Sequence, residues 1–159
     1  MNFKYLTLSI LFAFILSCDN SNVYKEFKPI NNDFNFDFIS WKKTDTLNYE
    51  IILDKIHKDL KPILSIRHAT HYPFSNIKLK LECLTPDAKL KNTTLDLVLA
   101  ENNIFKGSGM GDLWDIDIPV SIPVKFNQKG KYKLIINQDM MEKLPGILEV
   151  GFILKKAEK

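Results

Sequence analysis

The sequence predicts an all-β protein built as a single β-sandwich with one short helical turn. Two observations predict it. Apolar and polar residues alternate one by one in many short runs, the period of a half-buried strand. Turn-forming residues separate these runs at roughly 8–15-residue intervals, and no long helical pattern intervenes, which is the signature of an all-β sandwich.

The elements follow in chain order. Residues 23–27 (VYKEF) read as an edge strand or a tied-down N-terminal arm before Pro29. Phe34, Phe36 and Phe38 alternate with Asn35 and Asp37 in a segment that Trp41 ends. Residues 46–53 repeat the alternation through Leu47, Tyr49, Ile51 and Leu53. Residues 54–61 are charged, a loop or a single helical turn, and Pro62 closes them because it lacks the donor a strand centre needs. Residues 63–68 form the next strand. Ile77, Leu79, Leu81 and Cys83 then share one face against Lys78, Lys80 and Glu82 on the other.

Pro86-Asp87 turns the chain into residues 93–100, which alternate through Leu95, Leu97 and Leu99. Residues 120–126 read as a strand interrupted by Pro123, which favours an edge. Lys129-Gly130 turns into Tyr132, Leu134 and Ile136. Residues 139–144 (DMMEKL) are the best helical fragment, stopped by Pro145-Gly146. A last strand covers residues 147–154, with Gly151 marking a bulge or a close approach. Both jelly-roll-like and immunoglobulin-like orders fit this series, the jelly roll slightly better.

The first eighteen residues have a separate role. Lys4 precedes an apolar run over residues 6–16, shorter than the ~20 residues a membrane-crossing helix needs. A basic start, an apolar middle and a small residue at the end read as a cleaved export signal. Ile15-Leu16-Ser17-Cys18 resembles the lipobox of bacterial lipoproteins, which implies cleavage before Cys18 and lipid on that cysteine. Leu16 is bulkier than the usual Ala or Ser, and a plain secretory signal is the alternative reading. The expected division is a lipoprotein signal peptide over 1–17, a lipidated tether and arm over 18–27, and the sandwich over 28–159. Polar Asp19-Asn20-Ser21-Asn22 suits a short tether. An outer-membrane location is expected, although Asp19 after the cysteine leaves the inner membrane open.

Cleavage leaves roughly 140 residues, the size of one domain. The formal charge is +3 with charged residues at 26%. No dense Lys/Arg run is present, which argues against a nucleic-acid surface. Cys83 is the one thiol left, so the mature chain has no internal disulfide, and Cys83 reads as a small buried hydrophobe.

Two stretches break the alternation. Residues 67–76 (RHATHYPFSN) carry Arg67, His68, His71, Tyr72 and Asn76. They are a candidate contact loop or, on the plainer and preferred reading, a long hairpin connection with turn formers Pro73, Ser75 and Asn76. His68 and His71 with Asp112 are too few ligands for a metal site, and no metal or other cofactor is expected. Residues 105–114 (FKGSGMGDLW) add Asp112 and Trp114 to the candidate contact residues. Gly107, Gly109 and Gly111 match neither a dinucleotide nor a phosphate loop, and they read as positive-φ positions in a tight bend. Asp112, Asp115 and Asp117 lack EF-hand spacing. Ser108 lies outside a nucleophile elbow. No catalytic residue and no small-molecule substrate are expected.

Taken in order, Cys18 with Val23-Tyr24, Arg67-His68 with residues 72–76 (YPFSN), residues 107–112 (GSGMGD), Gly130-Lys131-Tyr132, Gly146-Ile147 and Val150-Gly151-Phe152 form one pattern. In it the mature chain resembles the gliding-motility lipoproteins of the GldH type, found in Bacteroidota. The resemblance implies an envelope lipoprotein without enzymatic activity, tied to gliding and to type IX secretion. Its partners would be other envelope proteins of that apparatus and, through the anchor, the membrane. The alternative is a surface glycan-binding sandwich lipoprotein, which requires Trp41, Tyr72 and Trp114 to form an exposed platform.

Overall fold

A computed structural model describes residues 21–30 and 39–157. Cys18 and the alternating Phe34, Phe36 and Phe38 lie outside these residues. In chain order the strands are β1 (Asn22–Pro29), β2 (Ser40–Lys42), β3 (Leu47–Leu53), β4 (Leu60–Ala69), β5 (Asn76–Leu84), β6 (Leu90–Val98) and β7 (Ala100–Glu101). There follow β8 (Ile104–Phe105), β9 (Ser108–Met110), β10 (Leu113–Pro119), β11 (Gly130–Gln138), β12 (Lys143–Pro145) and β13 (Ile147–Lys156).

The larger sheet runs β1-β13-β4-β10-β9 and the smaller β3-β11-β5-β6. Among the eight long strands, the first pairs with the last (β1 with β13), then β3 with β11, β4 with β10 and β5 with β6, all antiparallel. Nested pairing of this kind is one long hairpin rolled on itself, a jelly roll. It decides between the two orders left open by the sequence.

Alternation explains the core. In β5, Ile77, Leu79, Leu81 and Cys83 are buried while Lys78, Lys80 and Glu82 face solvent. In β3, Leu47, Tyr49, Ile51 and Leu53 point inward. From the other sheet Leu64, Ile66, Val150, Phe152 and Leu154 meet them in one continuous apolar cluster. Burying such side chains is worth about 1.5–3 kcal/mol each. Burial also pushes the Cys83 thiol up to about 11, so it stays a thiol. Strand β13 approaches its neighbours closely at Gly151, where a Cβ would stand 2.6 Å from the Phe27 ring.

Three expectations are corrected. Pro62 does not precede its strand but lies inside β4, opposite Leu154. Its carbonyl accepts from Val120 N at 3.0 Å, just past the end of β10. An extended residue turns its amide and carbonyl to the same side, so the missing donor faces the flank where the β10 ladder has already ended. Residues 120–126 are not a strand: prolines at 119 and 123 remove ladder donors, although Val124 and Phe126 still pack inward. Of the two readings of residues 23–27, the edge strand is the one formed: β1 pairs with β13.

The helical turn over residues 139–144 is also not formed, and the described residues contain no helix. Gln138 replaces it. Its Oε1 accepts from the amides of Met140 at 2.8 Å and Met141 at 3.2 Å, and its Nε2 donates to the Trp41 carbonyl at 3.2 Å. One buried side chain thus holds the bend after β11, and residues 143–145 leave as β12 to pair with β2 instead of continuing a helical turn.

Candidate functional site

The two stretches that break the sequence pattern meet at one end of the sandwich, away from Ser21. Thr70 N donates to the Asp112 carbonyl at 2.8 Å. Instead of a loop, residues 108–119 form a hairpin, β9 and β10, whose turn is Gly111-Asp112. Gly107 and Gly111 take positive φ as expected (89° and 62°), but Gly109 does not. Gly109 is small for another reason: a Cβ there would stand 2.8 Å from the Trp114 ring.

The pleat of β4 sends Arg67 and His68 to opposite faces. On the outer face Arg67 Nε donates to Asp115 Oδ1 at 2.8 Å and Nη2 to Oδ2 at 3.2 Å. Glu149 Oε1 stands 3.5 Å from Nη1. The Asp115 hydrogen bonds raise the Arg67 guanidinium above its ordinary range. All three side chains keep substantial solvent contact, so each pair adds at most ~1 kcal/mol.

On the inner face His68 is fully buried. Its Nδ1 lies 3.1 Å from the Ala69 carbonyl and its Nε2 has no partner. Burial holds its pKa below the usual imidazole value. A neutral ring donating from Nδ1 is the tautomer that fits this environment. The Phe105 and Tyr72 rings stand 4.8 and 5.7 Å from it. Tyr72 continues to Phe74 at 5.8 Å and Phe105 to Trp114 at 5.4 Å. Five rings therefore run from Phe74 to Trp114, a geometry with favourable edge-to-face contacts.

Tyr72 is buried and donates from Oη to the Asn76 carbonyl at 2.8 Å, and burial pushes its hydroxyl pKa up. Asn76 Nδ2 in turn donates to Asp96 Oδ1. His71 and Asp112 are exposed. His68, His71 and Asp112 form no ligand set, and among the described residues no three His, Cys, Asp or Glu side chains do. A shallow groove of about 220 Å³ lies between Tyr72, Phe74, Asn103 and Phe105. Beside it Ile104 is 69% exposed, while Met110, paired with Leu113 on the outer face, is 86% exposed.

Of the predicted residues, His68, Tyr72 and Trp114 join one aromatic cluster, while Arg67 belongs to a charged group behind it. Phe105 and Phe74, which bridge the cluster, and Asp115 and Glu149, which hold Arg67, were not singled out. The strict alternation of Trp114, Ile116 and Ile118 was the available signal for placing Asp115 opposite Arg67. The sugar platform is overturned, since Trp41 is 0% and Tyr72 4% exposed.

A solved family GH115 4-O-methyl-α-glucuronidase shares 14% identity at a TM-score of 0.38, over 88% of this chain but only 18% of its own. That likeness carries no argument. A gliding motility lipoprotein GldH homolog from Christiangramia forsetii is 30% identical, over 98% of this chain and 95% of its own. The gliding motility lipoprotein GldH of Flavobacterium johnsoniae is 27% identical, over 99% of this chain and all of its own. The family model for GldH lipoproteins matches residues 22–154. The chain therefore belongs to the GldH lipoprotein family.

Proposed function

We propose that this protein is a lipid-anchored, non-enzymatic component of a gliding-motility apparatus linked to type IX secretion. Residues 1–17 act as its signal peptide and Cys18 carries the lipid. The sandwich then works in water at the membrane surface. Several acyl chains on one cysteine make such anchoring effectively permanent, where a single chain is marginal.

The observation that carries the contact role is the aromatic end. There exposed Ile104 borders a cluster of packed rings, and its innermost imidazole is shut off from water. An exposed aliphatic side chain and rigid aromatic surface beside a shallow groove suit docking of another protein. His71, Asn76 and Asp112 form the polar surroundings of that surface, and Arg67 lies on the face behind it.

Cys18→Ala tests the anchor. The variant is expected to leave the membrane fraction and to abolish gliding, and unchanged fractionation refutes the anchor. Cross-linking in intact envelopes through a photoreactive residue at Ile104 tests the contact. Capture of apparatus proteins there, and not from a probe on the opposite sheet at Lys80, is the expected result.

A further inference from the structure

The other end of the sandwich gathers charges that the sequence keeps apart. The Ser21 carbonyl accepts from Lys156 N at 2.9 Å. Ser21 thus sits where β13 ends and β4 begins, with Lys156 opposite Leu60. Residues 54–59 and 120–129 close this end. They meet around a depression of about 280 Å³ lined by Lys58, Leu60, Lys125 and Phe126. Lys55, Lys58, Lys61, Lys125 and Lys129 are all exposed. Among the described residues none of them forms an ion pair. Only Asp54 and Asp59 oppose them in these two segments. Amid the lysines Ile56 is 70% exposed.

The distance to the bilayer follows from the covalent chain. On the reading that Cys18 carries lipid, three residue steps separate the anchor from Ser21, and at ~3.6 Å each they reach at most about 11 Å. This end is therefore held within roughly one Debye length, ~8–10 Å, of the headgroups. Exposed lysines around an exposed aliphatic side chain are the chemistry of an interfacial contact: ammonium groups meet lipid phosphates and the apolar group enters the acyl boundary.

We propose that the lysine-rimmed end formed by residues 54–61 and 120–129 is a second membrane contact, docking on anionic phospholipid headgroups with Ile56 at the acyl boundary. Two attachments fix the sandwich upright where the lipid alone would leave it free to swivel. The ten residues of β13, at ~3.3 Å each, then hold the aromatic end about 33 Å above the surface.

The test uses the full lipidated chain in vesicles of phosphatidylcholine, with or without one-third phosphatidylglycerol. A nitrobenzoxadiazole probe is placed through Ile56→Cys, where buried Cys83 does not compete for the label, or through Met110→Cys as a control. The expected result is a blue shift and several-fold stronger quenching by lipid-borne nitroxides at position 56, only with phosphatidylglycerol. The effect is lost at high salt or in Lys55→Gln/Lys58→Gln/Lys125→Gln, and position 110 does not respond.

A co-floating protein whose position 56 stays water-like in both vesicles overturns the docking and leaves the anchor standing. Failure to co-float overturns the anchor and the docking with it. A response at position 56 that requires added envelope proteins, and not the anionic lipid, assigns this end to a protein partner and overturns the proposal.

Discussion

Tyr49 Oη donates a 2.8 Å hydrogen bond to the carbonyl of Val150, joining the two sheets through the core. The Tyr49 ring also packs 6.2 Å from Phe152. Tyr49→Phe keeps the ring and leaves a buried carbonyl one partner short. Urea unfolding is expected to show a loss of about 1–2 kcal/mol with an unchanged m-value.

Gln138 gives a larger effect. Its side chain holds two amides and the Trp41 carbonyl in place. Gln138→Leu fills the same volume and satisfies none of them, so a loss of about 2–4 kcal/mol is expected in the same measurement. Gln138→Glu keeps the two amide bonds but sets a buried carboxylate against the Trp41 and Met141 carbonyls, so at neutral pH it is expected to lose at least as much.

The segment after Gln138 shows why the fold was only partly legible. Strands such as β3 and β5 have one buried face, so their period-2 pattern was complete in the sequence. The fragment at 139–144 has a helical composition, but its second half pairs with β2, a partner about a hundred residues away in the chain. Strand β10 alternates from Trp114 to Ile118, but it begins directly after a glycine-rich run that hides its start. Pro62 was misjudged because a proline's cost depends on which flank is paired, and that is a property of strand order.

The buried imidazole of His68 makes stability pH-dependent with a definite sign. Burial lowers its folded pKa below the 6.5 of an unperturbed ring. The unfolded chain therefore takes up a proton that the folded chain resists. Stability from this source is full above pH 6.5 and declines as pH falls below it. Thermal melts from about pH 7.5 to 5.5 are expected to lose more Tm for the native chain than for His68→Leu. Equal losses would show that the carboxylates alone account for the slope.

Gly109→Ala probes the aromatic end without replacing a ring. The new methyl would meet the Trp114 indole at 2.8 Å and force it outward, away from Phe105. A red-shifted component in tryptophan emission is expected, together with a loss of about 1–3 kcal/mol. Trp41 is fully buried and supplies an unchanged blue component.

The candidate site was legible as residue types and not as an arrangement. Tyr72 and Trp114 were visible as aromatics in irregular stretches, but only the register of β4 with β10 brings Trp114 opposite His68. The lysines of the opposite end were read as dispersed because Lys55 and Lys125 lie far apart in sequence, until two segments close over the same end.

Strand β13 follows β1 and β4 in the chain, yet it is an inner member of their sheet and lies between them. A chain emerging amino end first therefore cannot close the larger sheet until residues 147–156 arrive. Until then β1 and β4 stand without the strand that joins them, and closure comes as one late event. Loss of β13 would strip β1 of the ladder partner it has among the described residues.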